Sequence, residues 1–239
     1  MPMREGRAAS PGAGGGRART RASHSRESVL AEAVRLLDEA GAAGLTIRAL
    51  AARLGGGPAS IYWYVSGRDE LLDLAADSVL AGVLDAVRAV GEGDPIDDLR
   101  TIGETLFDAI VDRPWLGAYA LRDTGTQPHS LRLYEKIGEQ TLRLALTPTQ
   151  RFHATSAVVG FVIGTAADMG QELPEVVASG QMDREEYLAQ ATAEWRALDE
   201  GEFPFIHHVV DEFARHTDRG QFRAGLDLLL AGIRLQAGA

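Results

Sequence analysis

The stretch Thr46-Ile47-Arg48-Ala49-Leu50-Ala51-Ala52-Arg53-Leu54-Gly55-Gly56-Gly57-Pro58-Ala59-Ser60-Ile61-Tyr62-Trp63-Tyr64-Val65 decides the fold. Thr46 is a natural N-cap, and Leu45 and Leu50 stand where two apolar side chains staple a helix start. That helix ends near Leu54, at three glycines. A second, short helix runs from about Pro58 to Val65, with proline suited to its first turn. Two short helices joined by a glycine-containing turn make a helix-turn-helix. In the second helix Ile61 and Val65 face the side that packs on Leu37, Leu50 and Leu54. Ala59, Ser60, Trp63 and Tyr64 lie on the opposite side, with Tyr62 at the flank. Exposed aromatics are costly unless something covers them. A DNA backbone suits: tyrosine hydroxyls donate to phosphates, and small residues allow close approach to a groove.

Working outward, Leu30, Ala33, Val34, Leu37 and Ala40 recur at helical spacing from Ser25, and Gly41 ends that helix. It completes a three-helix unit. Downstream, Ser66 and Asp69 read as a capping-box pair opening a long helix with Leu71, Leu72, Ala75, Val79 and Val83 on one face. Beyond it the pattern predicts helices over Pro95–Asp112, Pro114–Leu121, Ser130–Leu146, Thr149–Gln171, Arg184–Leu198, Phe205–His216 and Gln221–Gln236. Gly and Pro punctuate the joints, and no strand alternation or internal repeat persists. The expected fold is all-α. It comprises a disordered Arg/Gly-rich tail (1–24), a three-helix helix-turn-helix domain (25–72) and a larger helical ligand-binding and dimerisation domain (73–239).

Composition narrows the function. The chain has 239 residues, 45% of them hydrophobic, which is enough for a real core. It has no cysteine, so a disulfide framework, a thiolate metal site and a cysteine nucleophile are excluded. The arginine-rich start is not followed by the apolar run of about 7–15 residues that an export signal needs. The weakly polar stretch from Ala154 to Ala167 is shorter than the roughly 20 residues of a membrane span. The expectation is a cytoplasmic protein with no membrane partner. Net charge is −10, yet residues 1–68 hold ten Arg against five acids, so the rest of the chain carries −15. A basic head on an acidic body is the asymmetry expected when one end meets nucleic acid. The five tail arginines, at 4, 7, 17, 19 and 21, suit either phosphate contact or a solvated tail.

The segment Gly44 to Gly55, followed by Ser60-Ile61-Tyr62-Trp63-Tyr64-Val65-Ser66-Gly67-Arg68-Asp69-Glu70-Leu71-Leu72, resembles the DNA-reading helices of the tetracycline-repressor (TetR) family. The pattern of a hydroxyl residue, an aliphatic, Tyr, two variable residues, an apolar residue, a basic residue and two leucines is matched, with Arg68 where lysine is usual. The resemblance implies a repressor that binds a palindromic double-stranded DNA operator as a homodimer and is released by a small-molecule effector. It implies phosphate contacts from Thr46, Tyr62, Tyr64 and Arg68, a hydroxyl contact from Ser60 and base reading by Arg48; bidentate arginine on guanine is the commonest direct readout. Trp63 is placed on DNA or in the protein's own packing. Plainer roles stand beside these: Tyr62 as a core aromatic, Arg48 as a surface charge, and Arg68 paired with an acid of its own helix. The turn Gly56-Gly57-Pro58 lacks the long polar side chains of relatives, which shifts weight onto Arg48 and DNA shape.

In the family the last long helices pair with their copies. Thr149–Gln171 and Gln221–Gln236 are apolar enough for that role. Val159, Gly160, Val162, Ile163 and Gly164 on the first, and Leu226, Leu229, Leu230 and Ile233 on the second, are the expected dimer residues. An internal core is the alternative for them. A largely apolar effector is expected among Phe107, Trp115, Tyr119, Tyr134, Phe152, His153, Phe161 and Trp195, each of which is also a fair core residue. His208, Glu212 and His216 share one helical stripe, but a metal needs a further well-placed ligand, so they read as a solvated face. No catalytic residue, metal or cofactor is expected. A helical enzyme would need a His-Glu-x-x-His run, a nucleophile elbow or a glycine loop after a strand, and none is present. A helical interaction module without operator binding is the other alternative.

Overall fold

The structure, a computed structural model, describes residues 24–121, 126–170 and 174–238, and all their side chains except that of Arg184. The tail assigned to 1–24 therefore lies, His24 apart, outside the described residues. Among the described residues there are twelve helices and no strand.

Helix α1 (Arg26–Gly44) is capped by Ser25, whose Oγ accepts the Ser28 amide at 3.1 Å. The expected stop at Gly41 is an interruption: its φ of +62° breaks the regular helix, and one further turn reaches Gly44. The buried stripe is Val29, Ala33, Leu36 and Leu37, one residue round from the expected one, with Leu30 and Val34 half-buried and Ala40 exposed. Helix α2 (Ile47–Arg53) starts at Thr46, whose Oγ1 accepts the Ala49 amide at 3.0 Å. Gly55, at φ +69°, makes the turn. Helix α3 (Pro58–Ile61) is shorter than the expected reach to Val65. The Tyr64 amide bonds Ile61 three residues back at 2.8 Å, and the Tyr64 hydroxyl is drawn off to the His24 carbonyl, so the chain tightens into a turn after one helical turn. Ile61 and Val65 still reach the core with Leu37, Leu45 and Leu50, as the spacing required.

Helix α4 (Arg68–Ala86) follows, and its entry corrects the capping expectation. The N-cap is Gly67. The Ser66 amide and hydroxyl both donate to Glu70 Oε2, at 2.6 Å each, whereas Asp69 stays exposed beside Arg68. The closing pair is thus four apart rather than three.

The larger part comprises α5 (Pro95–Val111), α6 (Pro114–Ala120), α7 (Pro128–Leu142), α8 (Pro148–Met169), α9 (Glu175–Ala178), α10 (Arg184–Arg196), α11 (Pro204–Arg215) and α12 (Asp218–Ala237). Proline opens α5, α6, α7, α8 and α11 at the position where its missing N–H costs nothing. Thr147 and Gln150 close a reciprocal capping box on α8. The short α9 has no apolar periodicity and is not among the expected helices. Helix α8 is the hub, packed on α5, α6, α7 and α12, while α4 bridges from α1 to α5 and α7. Leu99, Ile102, Ile137, Val158, Val162, Leu226 and Leu230 are essentially fully buried, each removing apolar surface worth about 1.5–3 kcal/mol. By length and composition α8 also passes as a membrane span, yet it sits centrally in this bundle. Helices α10 and α11 pack mainly on each other, with Trp195 stacked on Phe213 at 4.3 Å between ring centroids.

Candidate nucleic-acid interface and ligand cavity

The head presents a compact polar and aromatic surface. Thr46 and Arg48 are exposed at the start of α2; no hydrogen bond or ion pair is resolved for the Arg48 side chain among the described residues. Tyr62 and Trp63, in the turn after α3, are 56% and 88% exposed, which disposes of the core reading for both in this protomer. Ser60 is half-buried, and its hydroxyl donates to the Gly57 carbonyl at 2.7 Å. Two placements differ from expectation. Tyr64 is half-buried rather than fully outward, because its ring packs on the core and its hydroxyl is spent on His24. Arg68 is not held by an acid of its own helix alone. Its Nε donates to the Leu45 carbonyl at 3.0 Å and an Nη to the Ala42 carbonyl at 2.5 Å, with Asp69 at 3.5 Å. It adds hydrogen bonds to two carbonyls at the end of α1, that of Ala42 being shared with the Leu45 amide, and so fastens α4 to the head. Arg53 is likewise occupied by Glu32 and Glu39, and its hydrogen bonds hold the Glu39 carboxyl below the usual carboxylate range.

A cavity of about 440 Å³ lies between α4, α5, α6, α7 and α8. Its wall is aliphatic: Leu80, Leu106, Ile110, Leu116, Leu131, Leu133 and Ile137, with Val159 and Ile163 from α8. Ser130, Tyr119 and Tyr134 add hydroxyl groups. Of the expected pocket residues only Tyr119 and Tyr134 are there. Phe107 is locked in the core, stacked on Phe222 at 3.7 Å. Trp115 is buried with its Nε1 donating to Asp38 of α1 at 2.7 Å. Phe152 is 62% exposed with exposed His153 beside it, Phe161 wedges against Gly225, and Trp195 belongs to the α10–α11 pair. The aliphatic lining is visible in the sequence as stripes four apart, Leu106/Ile110 and Leu133/Ile137, but nothing in those stripes tells a cavity wall from a filled core.

Two polar links tie the cavity's helices together and to the head, and neither has a local signal in the sequence. Asp77 of α4 is buried, and its carboxylate accepts the His129 and Ser130 amides at 2.8 and 3.2 Å, with His129 Nδ1 at 2.7 Å. It thereby caps the N-terminus of α7, where an anion is favoured. The Trp115–Asp38 bond ties α6 to α1.

The dimer expectation also needs correction. Val162, Leu226, Leu230 and Ile233 are buried inside the protomer, Leu229 packs on that core, and Val159 and Ile163 line the cavity. These residues stabilise the single chain. Of the nine, Gly160 and Gly164 border open space, and Val159, Ile163 and Leu229 are half-buried. The uncovered apolar strip of α12 is instead Ala224, Leu228, Ala231 and Leu235, one stripe away from the buried one, with Leu228 77% and Leu235 76% exposed. Among the described residues no group of His, Asp and Glu is arranged for a metal ion; His216 Nδ1 faces the Phe213 carbonyl at 2.5 Å, and Glu212 pairs with Arg215.

The family model for bacterial regulatory proteins of the tetR family matches residues 29–75, and the tetracyclin repressor-like C-terminal domain model matches residues 89–237. The chain belongs to the TetR family of transcriptional regulators. This TetR-family regulator is 29% identical over 222 residues to a helix-turn-helix transcriptional regulator of Saccharopolyspora erythraea, covering 92% of this chain and 89% of that one. It is 34% identical to a TetR transcriptional regulator of Streptomyces coelicolor of solved structure, with a TM-score of 0.77 over 90% of this chain and 99% of that one. It shares its fold with ActR of Streptomyces coelicolor in complex with actinorhodin, at 23% identity and a TM-score of 0.75 over 90% and 99% of the two chains.

Proposed function

We propose that this regulator is a homodimeric, ligand-responsive repressor whose residues 25–72 read a palindromic operator and whose residues 73–239 sense an apolar small molecule and pair two copies. The observation that carries the reading is that one helix, α4, both lines the cavity through Leu80 and is fastened to the DNA-reading head through Arg68. Arg48 reads a base, while Thr46, Ser60, Tyr62 and Trp63 approach the backbone. The Tyr64 and Arg68 groups act by holding that surface in place, since their polar atoms are already engaged. A ligand that fills the cavity pushes on Leu131 and Ser130 at the start of α7 and, through Asp77, on α4. It favours the dimer whose two heads no longer match successive major grooves, about 34–36 Å apart. ActR, a fold neighbour, is solved in complex with actinorhodin, which supports a small-molecule effector here. The chain performs no catalytic step and acts in the cytoplasm, where its DNA is.

The test is a gel shift on the DNA upstream of its own gene at two salt concentrations, repeated with apolar compounds that raise the melting temperature of the protein. A retarded palindrome, released by such a compound, is expected. A chain that binds no duplex at low salt, or whose stabilising ligands leave the complex intact, would overturn the proposal.

A further inference from the structure

The wall of the cavity carries a chemical selectivity of its own. Among the described residues that line it, none is Asp, Glu, His, Lys or Arg. The hydroxyl-bearing residues, Tyr119, Ser130 and Tyr134, all belong to α6 and α7, whereas α4, α5 and α8 contribute aliphatic side chains alone. A ligand seated there meets mostly hydrocarbon, with oxygen from one pair of helices. A hydroxyl both donates and accepts, so each of the three can take a ligand oxygen or hydroxyl alongside a bond within the chain. The volume, about 440 Å³, is in the range of small-molecule sites.

Charge is what such a wall rejects. An ion taken out of water needs a counter-charge beside it, and this lining offers none. The Asp77 carboxylate accepts the Ser130 amide at 3.2 Å, so a fixed negative charge already stands at the oxygen-bearing side. An anionic head group placed against Ser130 would meet it as a like charge. A cationic head group gains little from it, because the same carboxylate also holds the His129 amide and ring Nδ1, at 2.8 and 2.7 Å. An uncharged oxygen suits the place, since it exchanges hydrogen bonds with the hydroxyls without stripping water from an ion.

We propose that the cavity admits only uncharged amphiphiles, and that the effector is an aliphatic molecule whose hydroxyl, ketone or ester oxygen sits against Ser130 and Tyr134. The inference rests on the reading of this cavity as the effector site and names the class of molecule it takes. Its test is calorimetric binding of decan-1-ol, decanoate and decylammonium to the full chain, one tail under three head groups. Near pH 8 the alcohol should bind at least about a hundredfold tighter than either ion. From hexan-1-ol upward, affinity should rise about fourfold with each added methylene. Relative to the alcohol, decanoate should tighten about tenfold for each unit that pH falls towards about 6, because only its protonated fraction enters. The alcohol controls for titration of the protein itself, His129 beside Asp77 included. Leu131→Trp and Ile163→Phe, which each narrow the cavity, should weaken the alcohol at least about tenfold. Leu131 is 55% exposed, so that variant keeps its fold even if the second does not, as circular dichroism would show. An ion that binds as tightly as the alcohol, a ratio that ignores pH, or native alcohol affinity in both folded variants overturns the inference. A chain that holds the alcohol as expected yet keeps its duplex overturns the effector reading instead and leaves the selectivity of the cavity standing.

Discussion

At the scale of single residues, Arg48 and Arg68 show how far a side chain's chemistry is readable from its type and how far it depends on neighbours. Arg48→Ala should relax base preference and cost about 1–3 kcal/mol on the operator, measured by competition between operator and random duplex. An unchanged ratio would remove Arg48 from base reading. Arg68→Ala should instead act on the head itself. It removes hydrogen bonds from two carbonyls at the end of α1, of which that of Ala42 keeps the Leu45 amide, so a destabilisation of about 1–2 kcal/mol in a denaturant titration is expected, with weaker binding to all sequences alike. The sequence marks Arg68 by its register with a leucine pair, which is visible locally. The carbonyls that claim it lie 23 and 26 residues earlier, a proximity created only when α1 packs against α4. Tyr64 behaves the same way, since the His24 carbonyl that binds it is 40 residues distant in the chain.

At the scale of elements, periodicity locates the helices well because apolar spacing and caps are local properties. It locates faces less well. On α1 and α12 the buried stripe and its neighbour are both apolar, and only the partner helices choose between them. Polar links are the least legible, since Asp77 and Asp38 are each a single acid on an amphipathic helix. Asp77→Ala should remove the carboxylate that accepts the half-buried His129 and Ser130 amides, costing about 1–3 kcal/mol. It should also raise the ligand concentration needed to release DNA, read in a titration of the complex with a compound that stabilises the protein. Caps give the head an acid sensitivity with a definite sign. Hydrogen bonds from Arg53 hold the Glu39 carboxyl below its ordinary range, and those from the Ser66 hydroxyl and amide do the same for Glu70. A carboxyl depressed on folding contributes fully above its unfolded value, about 4.3, and the contribution is lost as pH falls through the lower folded value. Ser66→Ala should therefore flatten the fall in melting temperature below about pH 4, relative to the native chain.

At the scale of the whole molecule, a two-fold pair requires a surface that is apolar and still free. Helix α12 divides its circumference three ways. Phe222, Leu226, Leu230 and Ile233 serve the core; Arg219, Arg223, Asp227 and Arg234 pair with α5 and its N-cap; Ala224, Leu228, Ala231 and Leu235 are left uncovered. Gly160 and Gly164 of α8 also face open space, with room for a second backbone to approach. On the proposed homodimer, Leu228→Glu with Leu235→Glu should leave the helices intact and yield single chains where the native protein sediments or scatters light as a pair. A dimer that survives both charges pairs elsewhere. Loss of pairing should carry operator affinity with it, because one head spans only a half-site.

The near-total exposure of Trp63 makes the molecule its own optical reporter. The other two indoles are sheltered, Trp115 in the core and Trp195 against Phe213, so a dissolved collisional quencher such as acrylamide acts chiefly on the emission from the tip of the head. A bound duplex should screen that emission from the quencher, and an effector that frees the duplex should restore the access, all without a dye attached.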